Sequence, residues 1–177
     1  HRLGLHKICR AISGRHPFTY DLNDILSRLI YTRILYPSSK RSSFEESKRF
    51  LEQPSFELHD VYRALSVIAA ESDYIQSRLF RNSAAIRERN TRVIYYDCTN
   101  FYFEVDGASD DKQFGKSKEG RSLPVVGMGL FMDEDGIPIS FCIYPGNRNE
   151  QTTMIPLEKK MLSQFDMSKF IVCTDAG

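Results

Sequence analysis

Asp97 stands in the run Val93-Ile94-Tyr95-Tyr96-Asp97-Cys98-Thr99-Asn100-Phe101-Tyr102-Phe103-Glu104. The run is dense in β-branched and aromatic residues and reads as a strand buried on both faces. A carboxylate there is costly unless it is paired, protonated or holding a metal. For one such aspartate alone, a bond to backbone or to an arginine is the plainer account. A second acid changes the balance. Asp175 ends another apolar run, Phe170-Ile171-Val172-Cys173-Thr174-Asp175, just before Ala176-Gly177, small residues that let a loop leave a sheet. In open α/β sheets, sites gather at the carboxyl ends of strands. If the two runs pack side by side and parallel, Asp97 and Asp175 become neighbours. Two such carboxylates repel unless a divalent cation lies between them. Hard oxygen donors favour Mg²⁺ or Mn²⁺, and a pair of these ions can activate a hydroxyl nucleophile and stabilise the leaving oxygen of a phosphodiester.

A second group of residues suits the anionic partner of such chemistry. The segment 106–123 carries Lys112, Phe114, Lys116, Lys118 and Arg121 among glycines. It reads as a loop gripping a phosphate backbone, although composition alone fits a solvated loop equally well. Arg148 opens the next helix with Asn149 and Glu150; Glu150 complements the helix N-terminus, and Arg148 is a further candidate for DNA contact. Tyr95, Phe101 and Phe103 are assigned to core or wall. Other motifs fail on inspection. Gly115-Lys116-Ser117 is not a nucleotide-binding loop, because Asp110 stands where that motif needs glycine. Asp133-Glu134-Asp135-Gly136 lacks the remaining calcium-loop ligands and reads as a hairpin turn. His1, His6, His16 and His59 have no metal-ligand spacing. Cys9, Cys98, Cys142 and Cys173 form no CxxC pair; their wide spacing suits free thiols in a reducing compartment.

The elements that must position these residues divide at about residue 92. Before it the periodicity is helical. Leu22, Ile25, Leu26, Leu29 and Ile30 predict a helix over 21–35, capped by Thr19 or Asp21 and ended by Pro37. A second helix follows Ser38 or Ser39 to about Leu51, with Phe44, Phe50 and Leu51 inward. A third covers 58–70 through Val61, Leu65, Ile68 and Ala69. A fourth follows Ser72 or Asp73 and buries Ile75, Leu79 and Ile86. After residue 92 the reading is strand over 93–104, a hairpin of strands 125–132 and 137–144, a helix over 152–164 with Met154, Ile155, Leu157, Met161 and Leu162 inward, then strand over 170–175. A strand, helix and strand in succession form a right-handed crossover. The class is α/β, or α+β overall.

Composition excludes whole classes. The chain has 177 residues, 41% hydrophobic and 27% charged, ordinary for a globular protein and foreign to disordered or collagen-like chains. No apolar run approaches the ~20 residues of a membrane helix. The net charge of +1 hides a split: residues 1–92 carry 16 Lys/Arg against 10 Asp/Glu, a net of +6, and residues 93–177 carry 8 against 13, a net of −5. A basic half beside an acidic half suits a polyanion-binding region next to one that gathers carboxylates. A first residue other than methionine, and an end that reads like the end of a strand, suggest a fragment.

Five motifs in one order carry a resemblance: Tyr96-Asp97-Cys98-Thr99-Asn100-Phe101-Tyr102-Phe103-Glu104, Phe114-Gly115-Lys116-Ser117-Lys118-Glu119, Gly127-Met128-Gly129-Leu130, Pro145-Gly146-Asn147 and Thr174-Asp175-Ala176-Gly177. The succession resembles the DDE transposases of bacterial insertion sequences, in the "IS-four" group. The helical part, with Tyr36-Pro37-Ser38-Ser39-Lys40 and Val61-Tyr62-Arg63-Ala64-Leu65, resembles the region before their catalytic core. The resemblance implies a helical, basic, DNA-binding region over 1–91. After it, over 92–177, comes the N-terminal part of a ribonuclease-H-like catalytic domain, an incomplete mixed sheet of order β-β-β-α-β. It implies Asp97 and Asp175 as two of three acids holding Mg²⁺ or Mn²⁺, with a third, a glutamate, on a later helix beyond Gly177. These 177 residues alone are therefore expected not to catalyse efficiently. Water would cut the phosphodiester at each transposon end, and the released 3′-hydroxyl would attack target DNA. The implied partners are double-stranded DNA and a second protomer across two DNA ends, in the bacterial cytoplasm at the nucleoid, with no membrane. Two rival readings keep part of this: a nuclease that stops at hydrolysis, and a DNA-binding derivative without catalysis.

Overall fold

The computed structural model describes residues 2–115, 122–149, 151–165, 167 and 169–174, the side chain of Gln151 excepted. The chain divides into two compact units, His1–Asn82 and Ser83–Gly177. The described residues form six helices and a mixed five-stranded sheet with a helix before its last strand, an α+β protein.

The first unit is helical: α1 (Leu5–Ser13), α2 (Leu22–Leu35), α3 (Lys40–Ser47), α4 (Leu58–Ala70) and α5 (Ser72–Ser83). Asp21 caps α2 by accepting from the amides of Asn23 and Asp24, and Ser39 caps α3 through the amide of Ser42. Ile8, Cys9 and Ile12 of α1 pack with Leu22, Ile25, Phe44, Phe56, Val61 and Ala64 in one core. Two expectations need correction. The second helix stops at Ser47, not Leu51, because Lys48, Arg49 and Phe50 turn back in bonds to residues three before them; Leu51 is fully exposed. Ile86 lies beyond α5 and is exposed. Arg28, nearly buried, ties the segment after α3 to α2: it pairs with Asp24 at 2.6 Å and donates to the carbonyls of Ser47, Glu52 and Gln53.

The second unit contains β1 (Val93–Tyr102), β2 (Gln113–Phe114), β3 (Pro124–Met132), β4 (Pro138–Pro145), α6 (Gln151–Gln164) and β5 (Ile171–Thr174). β1 runs antiparallel to β3 and parallel to β5, while β4 and the short β2 pair with β3. The turn at 133–136 closes the hairpin as expected. Gly136 takes φ +73°, a conformation open to glycine, and the Asp133 carboxylate accepts from the amides of Asp135 and Ile137.

Ten residues before β1 belong to this unit, and one ion pair accounts for much of that. Arg89 meets Asp133 at 2.6 Å with their side chains 5% and 0% exposed. The same guanidinium donates to Ser83 Oγ and to the carbonyls of Ile137 and Pro138, and the Glu134 amide donates to Asn90. The lead into β1 is thus clamped to the β3–β4 turn.

Candidate functional site

The residues of β1 do not lie buried on both faces; they alternate. Ile94, Tyr96 and Cys98 are buried, whereas Tyr95, Asp97 and Phe101 are exposed. α6 supplies the cover on one face through Thr153, Leu157 and Met161, and Phe165 just past its end continues this buried stripe at four-residue spacing. The expectation that Ile155 and Leu162 of this helix also point inward is wrong: both are about half exposed, because they fall off that stripe. No other helix of this unit lies among the described residues, so the opposite face is open. β5 is mostly exposed as well; among the described residues it pairs with β1 alone, at the end of the path.

Asp97 belongs to the open face. Its register partner is Leu130, and Leu130 in turn faces Phe141 on β4. Since opposed residues share a face, the carboxylate sits in a row with two apolar side chains, flanked along β1 by Tyr95 (43% exposed) and, four residues on, by Phe101 (50%). Tyr95, Phe101 and Phe103 are therefore not core residues. Asp97 escapes the cost of burial by facing outward. One of its oxygens, Oδ1, accepts from the Cys98 amide at 2.8 Å; among the described residues that is its hydrogen bond.

Behind Asp97, on the covered face, Tyr96 anchors the strand. Its hydroxyl shares a hydrogen bond with Thr153 of α6 and accepts from Cys98 Sγ at 3.2 Å. Burial first, and then the bond with Cys98, hold the Tyr96 phenol well above its ordinary range, so it stays neutral. Gly129 makes room for it: a Cβ there would stand 2.4 Å from the Tyr96 hydroxyl. Gly127 does the same for the Tyr144 ring, at 2.0 Å.

The parallel arrangement required for a two-acid site is present as far as it can be followed. β1 and β5 pair from Val93 with Ile171 to Tyr96 with Thr174. Asp175 lies outside the described residues, as do Lys116, Lys118, Arg121 and Glu150. Lys112 and Arg148 are described. Lys112 is half-buried with its ammonium 5.8 Å from the Phe103 ring centre; Arg148 is exposed in the turn after β4. Their segments touch, since the Gly146 amide donates to the Asp111 carbonyl at 3.1 Å. Lys112 adjoins Gln113, which pairs with Val125, the partner of Tyr102, five strand residues or roughly 17 Å from Asp97 along β1. The structure brings the backbone segments of Lys112 and Arg148 together, and the charge of Arg148 is felt at Cys142, level with Gly129 and Cys98 across the sheet.

Among the described residues no three His, Cys, Asp or Glu side chains gather as they would around a metal. As a single donor, Asp97 fits a hard cation: it is an exposed carboxylate with one oxygen held by an amide and the other open. No helix among the described residues is long and apolar enough to cross a membrane.

No family model matches the chain, and no curated protein matches it. Among solved structures, the Mos1 transposase paired-end complex with left transposon end is distantly similar, with a TM-score of 0.33 and 12% sequence identity. That alignment covers 92% of this chain, which spans only 54% of the transposase chain. A likeness so slight supports no argument about activity.

Proposed function

We propose that this chain carries the helical DNA-binding region and the first part of the catalytic sheet of a DDE DNA transposase, an enzyme of strand cleavage and strand transfer at transposon ends. The helical region is taken to be 1–91 and the catalytic part 92–177. Asp97 and Asp175 are two of the acids that hold Mg²⁺ or Mn²⁺ in this reading. The observation that carries it is the parallel ladder ending at Tyr96 and Thr174. Asp97 and Asp175 each follow one of these paired residues directly in the sequence. Continuing the ladder by one residue would set the two carboxylates side by side on the face that Asp97 occupies.

In this reading Asp97 is a ready-made ligand: the Cys98 amide fixes its Oδ1 and leaves Oδ2 toward solvent. Bound divalent cations would lower the pKa of the attacking hydroxyl and steady the leaving oxygen. Tyr96, tied to α6, keeps the strand from shifting beneath the site. Lys112, Lys116, Lys118 and Arg121, with Arg148, would hold the phosphate backbone near the cut. Double-stranded DNA is the partner, with two protomers across two ends.

The test is a crystal soaked in Mn²⁺. An anomalous peak shared by Asp97 and Asp175, lost in Asp97→Asn, is the expected result. Two-metal sites hold their ions ~3.5–4 Å apart, so the carboxylates that share such a site should lie about 4–7 Å from each other. Carboxylates on opposite faces, or Mn²⁺ bound elsewhere and indifferent to Asp97→Asn, would sink the assignment.

A further inference from the structure

Most cations of the helical unit that stand near an acid are matched with it. Arg15 pairs with Glu71, Arg28 with Asp24, Lys48 with Glu45, Arg49 with Glu46, and Arg63 with Asp60. Residues 1–82 nevertheless carry 13 Lys/Arg against 9 Asp/Glu, a net of +4. Part of that surplus collects at one corner. Arg33 is exposed in the last turn of α2, and Lys40 and Arg41 open α3 directly after the Pro37-Ser38-Ser39 bend. None of the three has an ion pair among the described residues. No acid stands in the first turn of α3 to offset them, where acids are normally favoured. Partial burial, and then the charge of Arg33, hold the Lys40 ammonium below its ordinary pKa. Beside them Tyr31 and Tyr36 are each about half exposed.

We infer that this corner of α2 and α3 is a phosphate-contacting surface for duplex DNA, formed by Arg33, Lys40 and Arg41. The inference rests on the proposed function for its partner and adds the surface. Three unmatched cations at the end of α2 and the start of α3 lower their mutual repulsion when a polyanion lies over them, and counterion release supplies the affinity. The exposed tyrosines offer hydroxyls to the same backbone, as tyrosine does in phosphate contacts. Contacts of this kind fix orientation and carry no sequence information.

The experiment is fluorescence anisotropy of the full chain with a labelled duplex between 50 and 200 mM salt. Each phosphate contact contributes ~0.9 to the salt slope. Replacing all three (Arg33→Ala, Lys40→Ala, Arg41→Ala) should flatten the slope by about 2.7, so the unmodified chain loses roughly 40-fold more affinity across this range than the variant. The loss should be equal on a scrambled duplex. Lys7→Ala with Arg10→Ala, exposed cations of α1, is the charge control and should leave most of the slope in place. If the triple variant fails to fold, Arg33→Gln with Arg41→Gln spares the half-buried Lys40 and should flatten the slope by about 1.8. Duplex binding with an unchanged slope overturns the surface and leaves the transposase reading standing. No duplex binding at 50 mM overturns both, while the Mn²⁺ soak judges the carboxylate site separately.

Discussion

Gly129→Ala is a one-carbon change whose cost follows from three distances. The added Cβ would lie 2.4 Å from the Tyr96 hydroxyl and 3.0 Å from two atoms of its ring, where ordinary contact begins near 3.4 Å. The hydroxyl must retreat by about 1 Å, and it has nowhere to go. Thr153 and Cys98 hold it, and the ring packs edge-on against Phe131 with centroids 4.9 Å apart. Overpacking of this kind costs ~1–3 kcal/mol, and loss of the Tyr96–Thr153 bond adds ~1 kcal/mol. The sum, about 2–4 kcal/mol, opposes the ~0.5–1 kcal/mol that alanine gains over glycine in an unobstructed strand. Urea unfolding measures it directly. Tyr96→Phe alone should cost about 1 kcal/mol. In the double variant the nearest clash is gone but the 3.0 Å ring contacts remain, so the combined cost should fall short of the sum by at least ~1 kcal/mol. A Gly129→Ala protein as stable as its parent, or costs that simply add, would refute the account of how β1 is anchored.

Further outcomes follow from other contacts. Arg89→Ala leaves the fully buried Asp133 carboxylate without its cation and should cost about 3–5 kcal/mol in urea unfolding, whereas Arg87→Ala, whose partner Asp135 is exposed, should cost under ~1 kcal/mol. Asp97→Asn, on an exposed side chain, should change stability by no more than ~0.5 kcal/mol while removing Mn²⁺ binding, read by electron paramagnetic resonance; a large loss of stability would mark Asp97 as structural. Burial works against ionising Asp24, yet the Ser55 amide, Arg28 and the Ser55 hydroxyl together hold its pKa below the usual 3.8. A lowered folded-state pKa stabilises the fold above pH ~4 and loses that contribution as pH falls through the folded value. Asp24→Asn should therefore flatten the stability curve below pH ~4 and lower stability at neutral pH, as chemical unfolding across pH will show.

Much of the frame was legible because local signals agreed. Asp21, Pro37 and the three- and four-residue spacing bracketed α2, and the span of α4 and the β3–β4 hairpin could be read the same way. Other features had a signal that was passed over: Leu5, Ile8, Cys9 and Ile12 have the spacing of α1. The two-sided burial expected of β1 was a real misreading. Its tyrosines and phenylalanines made the strand look continuous, but aromatic side chains also occupy an uncovered face, and sequence cannot say which faces a helix will reach. β2, two residues long, has no periodicity to detect. The Arg89–Asp133 pair joins positions 44 apart that no local pattern links. As for the candidate site, Asp97 was found because a charge in an apolar run is conspicuous, although it tolerates its place by facing outward.

The clamp between Arg89 and the β3–β4 turn also bears on the order in which the chain can complete itself. During synthesis the helical unit has all its partners once residue 82 has emerged. The lead into β1 must wait 44 residues for Asp133, ~2–9 s at usual elongation rates. β1 waits longer still for its parallel neighbour, since Val93 pairs with Ile171. Until β3 emerges both edges of β1 are open, and until β5 follows one edge still is, so the strand that carries Asp97 is the part of the newborn chain most exposed to wrong pairing.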